Sequence, residues 1–114
     1  MRVWDIPHSE LCDRHLLGEH AEIHAVWSVI ANSRAGYALH PEVTRWRGRL
    51  SALVARHDAN VIEMKARGFR HASPLISEAD VSEQTEYVDP PDEQRRLLAA
   101  KPCSCPRFAQ ALLE

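Results

Sequence analysis

The sequence predicts an all-α protein, one compact domain over residues 1–114 with about three helices and long connecting loops. Three observations predict it. Apolar residues recur at steps of three and four through two long segments, no segment alternates apolar and polar residues as a half-buried strand does, and helix start and stop signals bracket the periodic runs. A chain of 114 residues with 45% hydrophobic composition can bury one modest core and is too short for two.

The first helix takes Ser9 as its N-cap, with Glu10 and Asp13 in the first turn where carboxylates suit the helix dipole, and runs to near Ile30. Cys12, Leu16, Ile23, Val26, Trp27 and Ile30 share one arc of roughly 100°, the width of a core-facing stripe. Asn32-Ser33-Arg34-Ala35-Gly36 breaks the pattern. The second helix begins near Pro41, a favourable first-turn residue, and Val43, Trp46, Leu50, Leu53, Val54, His57, Val61 and Met64 step along it. Gly68 ends it as a left-handed cap. Arg45, Arg49 and Arg56 lie off that stripe and give the helix a positive outer face. Residues 69–88 read as a loop packed by Phe69, Leu75, Ile76 and Val81. Asp89-Pro90-Pro91-Asp92 starts a short third helix that Pro102 closes, and the tail CSCPRFAQALLE has room for a last helical turn.

Charge and cysteine usage bound the function. The net charge is −2, but residues 1–72 hold ten basic and eight acidic side chains, a net of +2, and all seven histidines. Residues 73–114 hold four basic and eight acidic, a net of −4. A pI near 6.4 argues against a strong nonspecific nucleic-acid binder and leaves room for a local basic face. No window approaches the run of about 18 apolar residues that a spanning helix needs, and MRVWDIPHSEL has no apolar signal core. The expectation is a soluble cytoplasmic protein without a membrane partner. Cys12, Cys103 and Cys105 are an odd number without an export signal, so they read as thiols, or at most as metal ligands.

The stretch LLGEHAEIH, residues 16–24, concentrates the chemistry. Glu19 falls in the middle of the apolar arc, where a carboxylate is costly unless an arginine or a loop backbone satisfies it. His15 and Glu22 share one edge of that arc. Gly18 lies beside them, and a mid-helix glycine costs about 1 kcal/mol relative to alanine, which points to the close approach of a backbone or a ligand. This edge is the candidate active face. His20 and His24 lie outward with Asp13. A zincin needs the glutamate directly after the first histidine, whereas here it is Glu22, so these read as solvated histidines. A structural zinc on Cys103, Cys105 and one or two histidines stays open, although a lone C-x-C lacks a second ligand pair. No G-x-S-x-G, P-loop or dinucleotide fingerprint is present.

SELCDRHLLGEHAEIHAVW, residues 9–27, resembles the first helix of the pyrimidine dimer DNA glycosylases of the phage endonuclease V type. The Ser-Glu-Leu, the Asp-x-His-Leu and the spaced Glu-x-x-Glu match in register. HPEVTRWRGRLSALVARHDANVIEMKARGF, residues 40–69, resembles that family's second helix and its closing Arg-Gly-Phe. Together the two segments cover nearly half of the chain in the same order and with similar spacing.

The resemblance implies an all-α enzyme that removes the 5′ base of a cyclobutane pyrimidine dimer and then nicks the strand at the abasic site. It implies a nucleophile that is the N-terminal α-amine, here Met1, assisted by Glu22, with no cofactor and no metal. An initiator methionine is normally kept before a residue as large as Arg2. An α-amine with a pKa of about 7.7–8.0 is substantially neutral in the cell, whereas a lysine near 10.4 must be perturbed. The family's first-helix arginines that contact phosphates correspond here to Ala21 and Ala25, and its aromatic, basic C-terminus to Cys103-Ser104-Cys105-Pro106-Arg107-Phe108. The DNA-contacting set expected here is Arg2, Arg14, His15, Gly18, Arg45, Arg47 and Arg49. The implied partner is duplex DNA carrying a damaged or abasic site, bound by a monomer that associates with the nucleoid. The competing class is a noncatalytic helical DNA- or protein-binding module with a structural zinc at the C-terminal cysteines.

Overall fold

A computed structural model describes residues 2–33, 35–71, 74, 75, 80, 83–103 and 105. It contains four helices, α1 (Asp13–Ala31), α2 (Pro41–Thr44), α3 (Leu50–Ala66) and α4 (Pro91–Ala99), with a 3-10 turn at His8–Glu10 before α1. The described residues include no strand, and the all-α expectation holds.

The main seam is α1 against α3, with α2 on α1 and the 3-10 turn on α3. One end buries Ile23, Val26 and Val29 of α1 against Ala52 and Leu53 of α3, with Val3, Val43, Trp46 and Leu75. The other buries Leu16 against Met64, with Trp4, Ile6, Leu11, Cys12, Leu98 and Cys105. The two helices therefore run antiparallel. Between the two apolar ends lies a polar belt, Glu19 of α1 with His57 and Asn60 of α3, each at most 1% exposed. A buried belt of this kind is stable only if its polar atoms find partners, and that requirement shapes the site.

The local boundaries differ from the sequence reading in two places. Ser9 lies within the 3-10 turn, and α1 starts at Asp13 with Cys12 at its N-cap. The second predicted helix is two, because Arg45–Arg49 turns between α2 and α3 with Gly48 at φ +71°. Val43, Trp46 and Leu50 all face the same core across that break, so apolar spacing does not reveal it. The loop supplies the cap that α3 lacks locally: the Leu50 and Ser51 N–H groups donate to the Asp80 carboxylate at 2.8 Å each. Gly68 is the left-handed cap, at φ +87°. The Phe69 N–H donates to the Met64 carbonyl and the Gly68 N–H to that of Lys65, while Phe69 packs in the cluster that holds Met64. Pro91 opens α4 at its first position, and Leu98 anchors it in the core. Phe69 and Leu75 pack as expected, whereas Ile76, Val81 and the tail beyond Cys105 lie outside the described residues.

The N-terminal segment crosses the helices and is tied to three of them. The Val3 N–H donates to Glu42 of α2 at 2.9 Å, the Trp4 N–H to Glu19 of α1 at 3.4 Å and the Asp5 N–H to Gln94 of α4 at 2.6 Å. All three acceptors are buried. Glu42 and Asp5 also hold the buried Arg45, whose guanidinium further donates to the Val3 and Glu86 carbonyls.

Candidate active site

A cleft of about 240 Å³ opens where the N-terminal segment crosses α1, and it is lined by Arg2, Trp4, His15, Gly18, Glu19, Glu22 and Lys101. Residues 15, 18, 19 and 22 are one helix edge, stacked by the three- and four-residue period of α1. Arg2 and Trp4 come from the extended segment, and Lys101 from just after α4.

Glu19 is the floor. Arg56 grips its two oxygens at 2.8 and 3.0 Å, and His8 Nε2 stands 2.9 Å from Oε1. Burial pushes this carboxyl up; Arg56 and His8 outweigh it and hold it below the usual carboxylate value. Arg56 also donates to the Ile6 carbonyl at 2.7 Å, so one buried ion pair fastens the N-terminal segment to both long helices. Glu22, one turn further along, is half-buried and forms no ion pair with a described residue. The Trp4 ring has the Arg2 guanidinium 5.2 Å above it and the His15 ring edge-on at 6.0 Å. Burial, then Lys101 and Arg14, lower the His15 pKa from its ordinary value.

The expected residues divide as follows. Arg2, His15, Gly18 and Glu22 meet in the cleft. Met1 lies outside the described residues. A β-carbon at Gly18 would meet nothing within 4 Å, so no neighbouring backbone requires the glycine, and the space over it belongs to the cleft. Arg14 and Arg47 are exposed, and Arg49 is partly exposed with a 3.4 Å contact to Glu86. Arg45, expected on DNA, is 5% exposed and turned inward among Glu42 and Asp5. Arg56 likewise points into the protein rather than forming a positive outer face. Sequence reasoning missed Trp4 and Lys101, whose local patterns carry no signal. Only the pairing of the first residues with α1 brings Trp4 to the site.

The histidines overturn the solvated reading. His20 and His24 pack against His57 and His71 with ring centroids 4.7–5.1 Å apart. Burial, then the neighbouring imidazoles, push His20 down to about 4. One donor atom from each of these four histidines falls within 4.8 Å of the others, and the same is true of Cys12, His15, Cys103 and Cys105. Both groups can hold a metal ion.

The cleft therefore brings together two carboxylates of α1, the aromatic face of Trp4 and the cationic side chains of Arg2 and Lys101. No curated protein and no solved structure matches the chain. The family model for pyrimidine dimer DNA glycosylase matches residues 1–77, a stretch that carries α1, α2, α3 and every cleft residue except Lys101. With two thirds of its length matched in this way, the chain belongs to the pyrimidine dimer DNA glycosylase family.

Proposed function

We propose that this glycosylase acts on cyclobutane pyrimidine dimers in duplex DNA and also cleaves the resulting abasic site, with the Met1 α-amine as nucleophile and Glu22 as the catalytic carboxylate. The observation that carries the reading is that Arg2, the residue bonded to Met1, lines the same cleft as Glu22. The hydrogen bonds from Val3, Trp4 and Asp5 to buried acceptors support it, because they fix the residues next to Arg2 against α1, α2 and α4. In this reading the neutral amine attacks C1′ of the 5′ nucleotide of the dimer as the glycosidic bond breaks and the base leaves with the bonding electrons. Glu22 stabilises the cationic sugar. The ring then opens to a protonated imine. Glu22 takes a C2′ proton, and β-elimination expels the 3′ phosphate and nicks the strand. Water finally releases the enzyme from the sugar remnant. Arg2, Arg14, His15, Arg47 and Arg49, with Lys101 added, are the proposed DNA contacts, and Gly18 leaves room for the strand. The acting form is a monomer on cellular DNA in the cytoplasm.

Borohydride trapping tests this. Reduction of the imine on ultraviolet-irradiated and abasic duplexes gives a covalent protein–DNA adduct, which N-terminal acetylation or Glu22→Gln abolishes. No adduct on either duplex overturns the reading in favour of a noncatalytic module.

A further inference from the structure

We propose that the protein binds two structural zinc ions, one held by His20, His24, His57 and His71 and one by Cys12, His15, Cys103 and Cys105. Neither site rests on the proposed catalytic role.

The imidazole site follows from hydrogen-bond accounting. Asn60 Nδ2 donates to the Leu16 carbonyl at 3.1 Å, an oxygen that can only accept. Asn60 Oδ1 therefore faces His20 Nδ1 at 3.2 Å and accepts from it, which leaves the lone pair of His20 on Nε2. His57 Nδ1 stands 3.0 Å from the Asp58 carboxylate, again an acceptor, so its lone pair is on Nε2 as well. That Nε2 is buried, in a residue 1% exposed, and has no hydrogen-bond partner among the described residues. His24 Nε2 lies 3.1 Å from His20 Nε2. In a tetrahedral zinc site with bonds of about 2.0–2.1 Å, neighbouring nitrogens stand roughly 3.3–3.4 Å apart. An unpartnered lone pair and a close nitrogen pair, converging with a fourth imidazole, are the arrangement a cation completes. Asp58 and Asn60 then hold the far ring nitrogens of His57 and His20, as outer groups orient metal-bound histidines. Four protein ligands leave no open position, so the ion is structural and ties α1 to α3 and to His71 beyond the Gly68 cap.

The thiol site stands on separate distances. All three cysteines of the chain converge on one histidine. His15 Nδ1 is 3.2 Å from Cys12 Sγ and 3.5 Å from Cys105 Sγ, against roughly 3.5 Å for a sulfur–nitrogen edge of a zinc tetrahedron. The Cys12 N–H donates to Cys105 Sγ at 2.8 Å, which fixes that sulfur at the start of α1. Three thiolates and one imidazole are a zinc donor set. The ion pins Cys103 and Cys105 to α1 and sets the His15 ring at the cleft wall, with Cys12 and His15 supplying the second ligand pair that the C-x-C lacks in sequence.

Elemental analysis of the full-length, untagged protein tests both. Apoprotein dialysed against zinc and then against buffer retains two equivalents, and His24→Gln and Cys103→Ala each remove one, in variants whose helix content by circular dichroism is unchanged. If His24→Gln fails to fold, His71→Gln, outside the helices, replaces it. Cobalt(II) separates the sites. His24→Gln keeps the thiolate-to-cobalt charge-transfer bands, whereas Cys103→Ala shows only the ligand-field bands of a tetrahedral all-nitrogen centre. Zinc content unchanged by the histidine variants overturns the imidazole site; content and charge-transfer bands unchanged by Cys103→Ala overturn the thiol site. Strand-nicking activity reads the other proposal independently, since the trapped imine involves neither ion.

Discussion

Glu19 and Glu22, one helical turn apart, divide support from the proposed chemistry. Glu19 is sealed under the N-terminal segment with Arg56 and His8, and Glu22 faces the cleft. Removing one member of a buried pair leaves an uncompensated charge, so Glu19→Gln should lower stability by about 3 kcal/mol, read by urea unfolding. The pH dependence has a definite sign. The Glu19 carboxyl is held below its ordinary value in the folded protein. Its contribution is therefore complete above the ordinary carboxylate value of about 4.3 and is lost as pH falls through the lower folded value. Wild type should lose stability through that acid window, and Glu19→Gln should show a flatter profile; equal slopes would overturn the assignment. Glu22→Gln should behave oppositely, abolishing the trapped adduct while shifting stability by no more than about 0.5 kcal/mol. The sequence marks Glu19 plainly, because a carboxylate on an apolar stripe needs a partner. It hides the partner, since Arg56 sits off the α3 stripe and its long side chain carries the guanidinium back to Glu19.

The helices themselves are legible where a single element decides the outcome. The Gly68 cap, the Pro91 start and the apolar face of α1 all follow from local rules, and each is as expected. Features made by two elements are not. A wheel drawn for α1 alone sends His20 and His24 outward, because it cannot show that His57 of α3 and His71 beyond it cover that face. The turn at Arg45–Arg49 is hidden for the same reason: the cap on α3 comes from Asp80, 30 residues after Leu50. Asp80→Ala should cost about 1 kcal/mol, the usual effect of losing a helix N-cap, with the first turn of α3 exchanging its amide hydrogens faster. Unchanged exchange at Leu50 and Ser51 would mean that Asp80 does not cap the helix in solution.

Across the whole molecule, positive charge is directed inward more than its sequence positions suggest. Arg45, Arg56 and Arg67 are 5%, 15% and 10% exposed at their side chains, each in an ion pair with a carboxylate. Arg2 and Arg49 reach the surface beside Asp89 and Glu86. Among the described residues, the exposed basic side chains outside ion pairs are Arg14, Arg47, Lys65, Arg70 and Lys101, and the chain carries a net −2. Affinity for duplex DNA should therefore depend weakly on salt. Three to five phosphate contacts correspond to a slope of roughly −2.7 to −4.5 in log K against log salt concentration. Fluorescence anisotropy with a duplex bearing a noncleavable abasic analogue measures it. Arg14→Ala should flatten the slope by about 0.9, the share of one phosphate contact. Arg45→Ala, which empties a buried carboxylate cluster, should lower thermal stability and leave the slope of the folded fraction unchanged. A wild-type slope steeper than about −6 would show that residues beyond the exposed arginines and Lys101 carry the DNA backbone.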